Sequence, residues 1–214
     1  MFPLAPEGYP YVVVPILAGI FAWLFGYAPV AVVLWLLGLF SLAFFRDPTR
    51  SSDAGADAVL APADGKVLKV DASPARFAEL GLPLQVSIFM SPANVHVNRA
   101  PISGVVRRAE YRSGQKYPAY RDKASELNEH SVVVIEGPHA TVAYKQIAGA
   151  VARRVVCDLA EGESVERGQR VGIIKFGSRV DLFLPKGAAV AVKQGERTRA
   201  GVTVVARLPL EVRR

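Results

Sequence analysis

From Gly8 to Phe45 the chain carries no Lys, Arg, Asp, Glu or His, and most of that run is Val, Ile, Leu, Ala, Phe and Trp. About 20 apolar residues in a helix cross a bilayer, so the run exceeds a single span. Water-facing helices keep a polar side, and a soluble core has little use for so long a stretch without charge. The run is also too long for a secretory signal peptide, and no Lys or Arg precedes it. Gly26, Tyr27, Ala28 and Pro29 interrupt it near the middle. Two readings stay open over 1–45: one long tilted helix, or two short helices, 12–25 and 30–45, forming a hairpin. Either is a hydrophobic membrane anchor.

Charge is confined to the rest. The chain has 214 residues, with 26 Lys and Arg against 19 Asp and Glu, and its net charge is +7. Arg46, Arg50 and Lys66 follow the apolar run, so the positive-inside rule puts the remainder on the cytoplasmic side of the cell (inner) membrane. A basic domain is drawn to anionic headgroups. No basic helix, zinc finger or aromatic-basic ribonucleoprotein motif accompanies the charge, so no nucleic-acid partner is expected. A lone cysteine, Cys157, excludes an internal disulfide framework, and three histidines leave little material for a metal centre.

Residues 46–58 read as a polar linker, and 59–214 as one domain of short β-type runs punctuated by Gly, Pro and Asp. Strands are expected at 67–70, 85–90, 104–111, 131–136, 141–147, 171–175, 179–183, 189–192 and 202–207, with one short helix at 74–80. The fold expected is mostly β, a compact sandwich or barrel-sandwich. Glycine-containing turns before the alternating strand near 171 belong to the kind found in biotinyl- and lipoyl-type sandwiches.

Four segments carry reactive groups. Gly177-Ser178 is an ordinary turn dipeptide, yet a strained Gly-Ser bond also lets the serine hydroxyl attack the open glycine carbonyl. The resulting ester, after β-elimination and hydrolysis, leaves an N-terminal pyruvoyl group. His96 follows a strand, where a histidine is a structural hydrogen-bonder or a proton carrier at neutral pH. Asp64-Gly65 reads as a turn whose aspartate could orient a histidine or activate the serine. Residues 122–129 read equally as a solvated loop or as the lining of a site.

The segments FFRDPTR (44–50), PADGKV (62–67), SPANVHVNRAP (91–101), SGQKYPAYRDKASELNE (113–129), QIAGAVARRVVC (146–157) and FGSRVDLFLP (176–185) occur in an order that resembles the phosphatidylserine decarboxylases. The likeness is to the short bacterial and archaeal branch. It implies a proenzyme that cleaves itself between Gly177 and Ser178 into a β chain, 1–177, and an α chain, 178–214, which stay associated. Ser178 becomes a covalent pyruvoyl cofactor, which holds the substrate amine as a Schiff base while CO2 leaves phosphatidylserine to give phosphatidylethanolamine. By position His96 matches the family's proton-transfer histidine and Asp64 its self-cleavage aspartate. No metal is implied, phosphatidylserine and membrane lipids are the partners, and a homodimer fits the family.

One departure stands out: Arg99 occupies the place where longer members carry a second histidine. Arginine is no base near neutral pH. That leaves His96 serving both steps, strain with Asp64 sufficing, or His130 or His139 approaching in space. Arg46, Arg50, Arg99, Lys116 and Arg179 are candidate phosphate or carboxylate contacts. A non-enzymatic rival is an anchored β carrier module, with Asp122-Lys123-Ala124 as its attachment hairpin and Gly177-Ser178 a plain turn.

Overall fold

The computed structural model describes residues 3–150, 154–175 and 178–209. Two compact units divide the chain, Met1–Thr49 and Arg50–Arg214. In the first, a 3-10 turn at Pro6–Gly8 leads into α1 (Tyr9–Leu24), which is followed by α2 (Ala28–Phe44). Gly26, at φ 82°, makes the reversal that a side chain would resist. The helices meet at small residues: a Cβ on Gly19 would stand 2.5 Å from the Trp35 Nε1, and one on Gly38 would stand 3.0 Å from Ile16. Close approach at glycine is how helices pack where lipid removes the hydrophobic drive between them. Leu17, Phe21, Val33, Leu36 and Leu39 are exposed on their outer sides. Pro6–Leu24, with 19 residues, is long and apolar enough to cross a membrane, while Ala28–Phe44 is shorter. A bridge between Leu4 and Arg46, flanked by Ala5 N–H to Phe45 O at 2.8 Å, ties the two ends of this hairpin together.

The second unit holds β1 (Ala58–Leu60), β2 (Gly65–Ala72), α3 (Ala75–Ala78), β3 (Leu84–Met90), β4 (Val97–Arg99), β5 (Gly104–Arg112), α4 (Asp122–Leu127) and β6 (His130–Glu136). It continues with β7 (Thr141–Ile147), β8 (Val155–Cys157), β9 (Ser164–Val165), β10 (Arg170–Ile174), β11 (Ser178–Leu184), β12 (Ala189–Val190), β13 (Arg197–Thr198) and β14 (Val204–Arg207). Eight strands form one sheet in the order β13-β2-β3-β11-β7-β6-β5-β9, and two three-stranded sheets run β1-β14-β12 and β4-β10-β8. The unit is therefore mostly β, as the short alternating runs required.

Alternation places the core. Val86, Ile88 and Met90 of β3, Val180, Leu182 and Leu184 of β11, and Val142 and Tyr144 of β7 point to one face, where Val59, Val205, Val171 and Ile174 of the small sheets meet them. Side chains on successive strand residues point to opposite faces, so Arg179, Asp181 and Phe183 face outward. They are nevertheless buried. Phe77 of α3 stacks on Phe183, with ring centroids 3.6 Å apart, and α4 covers the rest. β11 itself is buried on both faces, which explains why it is almost wholly apolar apart from one ion pair.

Residues 122–127 form a helix rather than a loop, so Asp122-Lys123-Ala124 is no hairpin tip and the carrier reading loses its attachment site. From Arg50 onward the presumed linker is fastened down. Arg167 donates to the carbonyls of Ala54 and Ala58, at 2.6 and 3.2 Å, and Asp57 pairs with Arg207 at 2.9 Å.

Candidate active site

Ser178 opens β11 and lies directly across from Met90, the last residue of β3. On its other side β11 pairs with β7 from Arg179 to Phe183. The serine is fully buried, and its hydroxyl donates to the Met90 sulfur at 3.2 Å. A thioether is a weak acceptor, so this contact leaves the hydroxyl with little to lose on reacting. Phe176 and Gly177, the other half of the expected scissile bond, lie outside the described residues.

His96 follows the turn that leaves β3. The Asn94 side chain accepts from the Ser91 N–H at 2.8 Å and from the Ser91 hydroxyl at 2.7 Å, which closes the turn. The Asn94 carbonyl in turn stands 3.0 Å from Nδ1 of His96, a fully buried ring. A carbonyl can only accept, so the proton of the neutral ring sits on Nδ1 and Nε2 carries the lone pair. Beyond His96, β4 pairs with β10, Val97 opposite Ile173. The Ile174 N–H donates to the His96 carbonyl at 3.3 Å, and only Lys175, Phe176 and Gly177 separate Ile174 from Ser178.

A buried amide network joins these parts. Asn98 donates to the Pro62 carbonyl at 3.3 Å and meets the Met90 sulfur at 3.7 Å, so that sulfur touches both Asn98 and Ser178. Gln146 donates to the Asn98 side-chain oxygen at 2.9 Å. Its own Oε1 is buried and has no hydrogen-bond partner among the described residues. Leaving such an acceptor unsatisfied costs about 1–3 kcal/mol, the sort of deficit that marks a functional pocket.

Asp64 sits in the loop between β1 and β2, whose Pro62 carbonyl also accepts from the Arg99 N–H at 3.0 Å. Its carboxylate is held in a two-point pair by Arg50, one contact being Nη2 to Oδ2 at 2.8 Å, and it accepts the Ala200 N–H at 2.7 Å. Arg50 also donates to the Ala200 carbonyl at 2.9 Å. The aspartate thus braces the loop packed against β4.

The remaining histidines are placed differently. His139 lies in the β6–β7 turn, at the opposite end of that hairpin from Ile147, the residue that pairs with Arg179 beside Ser178. His130 pairs with Ile147 and so shares the outer face with Arg179. Burial, first among several causes, lowers its pKa. Arg99 turns to the Gly168 carbonyl at 3.0 Å. Among the five candidate anion contacts, Arg50 and Arg179 are taken up by internal ion pairs, and Lys116 is exposed.

Sequence reasoning missed the polar cluster behind β11. Arg179 donates to Asp181 at 2.5 Å and to Ser87 at 2.9 Å, and the Ser125 hydroxyl of α4 donates to Asp181 at 2.7 Å. Lys145 donates to the Ser125 carbonyl. Burial, aided by Arg76 and Arg179 and opposed by Asp181, lowers the Lys145 pKa to about 7. The available signal was the period of two in Ser178-Arg-Val-Asp-Leu, which puts Arg179 and Asp181 on one face. Also missed was Asn128. It accepts from the Tyr117 N–H at 2.8 Å and donates to the carbonyls of Tyr117 and Ala148 at 2.7 and 2.6 Å, clamping two loops.

Comparison with known proteins bears on this arrangement. The family model for phosphatidylserine decarboxylase matches residues 37–206. A phosphatidylserine decarboxylase proenzyme of Magnetococcus marinus is 48% identical over 213 residues, covering 96% of this chain and 95% of the relative. Proteins of the same description are 42% identical over 207 residues in Burkholderia mallei and 47% over 181 residues in Prosthecochloris aestuarii, covering 96% and 85% of this chain. With so much of its length matched, this chain belongs to the phosphatidylserine decarboxylase family and is a carboxy-lyase.

Proposed function

We propose that the chain is a membrane-anchored proenzyme that cleaves itself between Gly177 and Ser178 and then decarboxylates phosphatidylserine to phosphatidylethanolamine and CO2. The observation that carries this reading is the buried Ser178 at the start of a strand paired on both sides, next to the segment that bears His96. The hydroxyl adds to the Gly177 carbonyl and the amide nitrogen leaves, giving an ester. Loss of the Ser178 Cα proton then expels the Gly177 carboxylate, and water releases ammonia from the remaining enamine, leaving a pyruvoyl group at position 178. His96, with its lone pair on Nε2, takes up the hydroxyl proton and afterwards returns a proton to the reacting centre.

The surroundings fit such a group. The precursor serine is present and fully buried, and Gln146, across from Val180 on the next strand, holds a buried Oε1 without a partner among the described residues. The pyruvoyl carbonyl supplies the electrophile and electron sink for the loss of CO2. Asp64 acts as a positioning residue: paired to Arg50, it holds the Pro62–Gly65 loop against Asn98 and Arg99. The apolar hairpin of α1 and α2 supplies the anchor, and the positive charges after it favour the cytoplasmic side of the membrane for the catalytic unit.

The α chain, 178–214, stays with the β chain because β11 pairs with β3 and β7, β13 with β2, and β14 with β1. The test is the mass of each polypeptide in the purified protein. Two chains are expected, the smaller starting at 178 and lighter by one ammonia than plain hydrolysis gives, labelled by borohydride with an amine. Ser178→Ala should stay intact. A wild-type protein that remains one unlabelled chain refutes the proposal.

A further inference from the structure

The outer face of the large sheet, opposite the face that carries Ser178, holds a cleft of about 240 Å3. Three of its walls are guanidinium groups. Register sets Arg108 across from Val134, Glu110 across from Val132 and Arg112 across from His130. Arg76 enters from α3, its guanidinium 4.7 Å above the Phe77 ring. Glu110 is the one carboxylate lining the cleft: Arg108 Nε donates to it at 2.6 Å, and Arg112 stands 3.6 Å from its other oxygen. Three positive charges against one negative leave the cleft cationic. The crowding is felt locally, since burial first and Arg112 next lower the Arg76 pKa, although Glu126 and Glu110 pull the other way.

The floor is of opposite character. Val132 and Val134 lie at its base, and Leu80, 52% exposed, forms a lip. An inorganic anion would use the arginines and ignore this floor. A phosphodiester carrying a glycerol and acyl chains uses both, because guanidinium forks match phosphate oxygens in pairs and the apolar lining takes the carbons beside them.

We propose that this cleft binds the phosphodiester of an anionic membrane phospholipid as a non-catalytic site, so that the outer face of the sheet docks on an anionic bilayer. The proposal rests on the membrane reading above, but not on formation of the pyruvoyl group. It is therefore tested on the intact Ser178→Ala proenzyme as well as on the wild type, as full chains in neutral detergent micelles. Phosphatidylglycerol at about ten times its Kd should raise Tm by about 3 °C in both, and phosphatidylcholine should not. The shift should vanish in Arg76→Gln/Arg112→Gln and persist in Lys186→Gln/Lys193→Gln, which loses the same charge elsewhere on the surface.

Three results overturn it. A phosphatidylglycerol shift that survives in the arginine variant, or is absent from the wild type, removes the site. An equal shift with inorganic phosphate reduces it to an anion site without lipid. A shift in the wild type that is missing in Ser178→Ala assigns the lipid to the catalytic pocket instead.

Discussion

Lys145 makes the fold's stability depend on pH in a way that one substitution should abolish. Its ammonium is buried behind β11 near Arg76 and Arg179, and its pKa falls from 10.5 to about 7. An unfolded lysine keeps its proton to beyond pH 10. Between those two values the unfolded chain therefore binds one proton more than the folded one, and raising the pH stabilises the fold. Below about pH 7 both states are protonated and the full cost of burying the charge is present. One proton across one pH unit is worth about 1.4 kcal/mol, which for a chain of this size is about 3–5 °C in Tm between pH 8 and 9. Lys145→Met keeps the bulk of the side chain and removes the titration, while leaving the Ser125 carbonyl without its donor. The assay is thermal unfolding of Ser178→Ala and Ser178→Ala/Lys145→Met in detergent from pH 7 to 9.5. Every other ionisable group is common to the two proteins, so the difference between the two curves isolates the lysine. The Tm of the lysine protein minus that of the methionine variant should fall steadily as the pH goes from 9.5 toward 7, wherever the two curves lie in absolute terms. Parallel curves would show that Lys145 keeps an ordinary pKa and that the argument from burial is wrong.

Two other substitutions test the packing around the site. Asp64→Asn breaks a buried ion pair and leaves Arg50 without its counter-charge, a change that typically costs about 3–5 kcal/mol; intact chain should accumulate on a denaturing gel, and rapid processing at unchanged Tm would rule out the bracing role. Phe183→Ala removes the ring stacked on Phe77 and should cost about 3–5 kcal/mol, read as a large drop in Tm in the Ser178→Ala background; a loss below about 1 kcal/mol would mean that α3 is not held by that stack.

Strands long enough to show a period of two were legible from the sequence. β3, β5, β6, β7, β10 and β11 lie where alternating Val, Ile, Leu and Phe put them, to within a residue or two. β4, β8, β9 and β13 were not, because strands of two or three residues have no period and are set by the partner beside them. α4 was missed for a similar reason. Its inward side offers Ala124 and a serine hydroxyl bonded to Asp181, which is no apolar stripe. Within the site, Gly177-Ser178 and His96 stood out as local motifs. The Arg50–Asp64 pair did not, since nothing near either residue announces a partner 14 positions away. From the sequence Arg179 is a candidate anion contact, and only the covering helix makes it and Asp181 a buried cluster.

The place of β11 has a consequence for the life of the molecule. The proposed break just before Ser178 would leave the ladder of β11 in place beyond its first residue, because the strand stays paired with β3 and β7 from Arg179 to Phe183. A protein cleaved there would look folded as before, yet its two pieces would meet again after denaturation only by diffusion. Folding of the newborn chain is unimolecular, whereas reassembly of the mature one is second order and slows with dilution. Such a cleavage would turn a unimolecular fold into one whose assembly happens once, during synthesis, and is afterwards maintained by the barrier to unfolding.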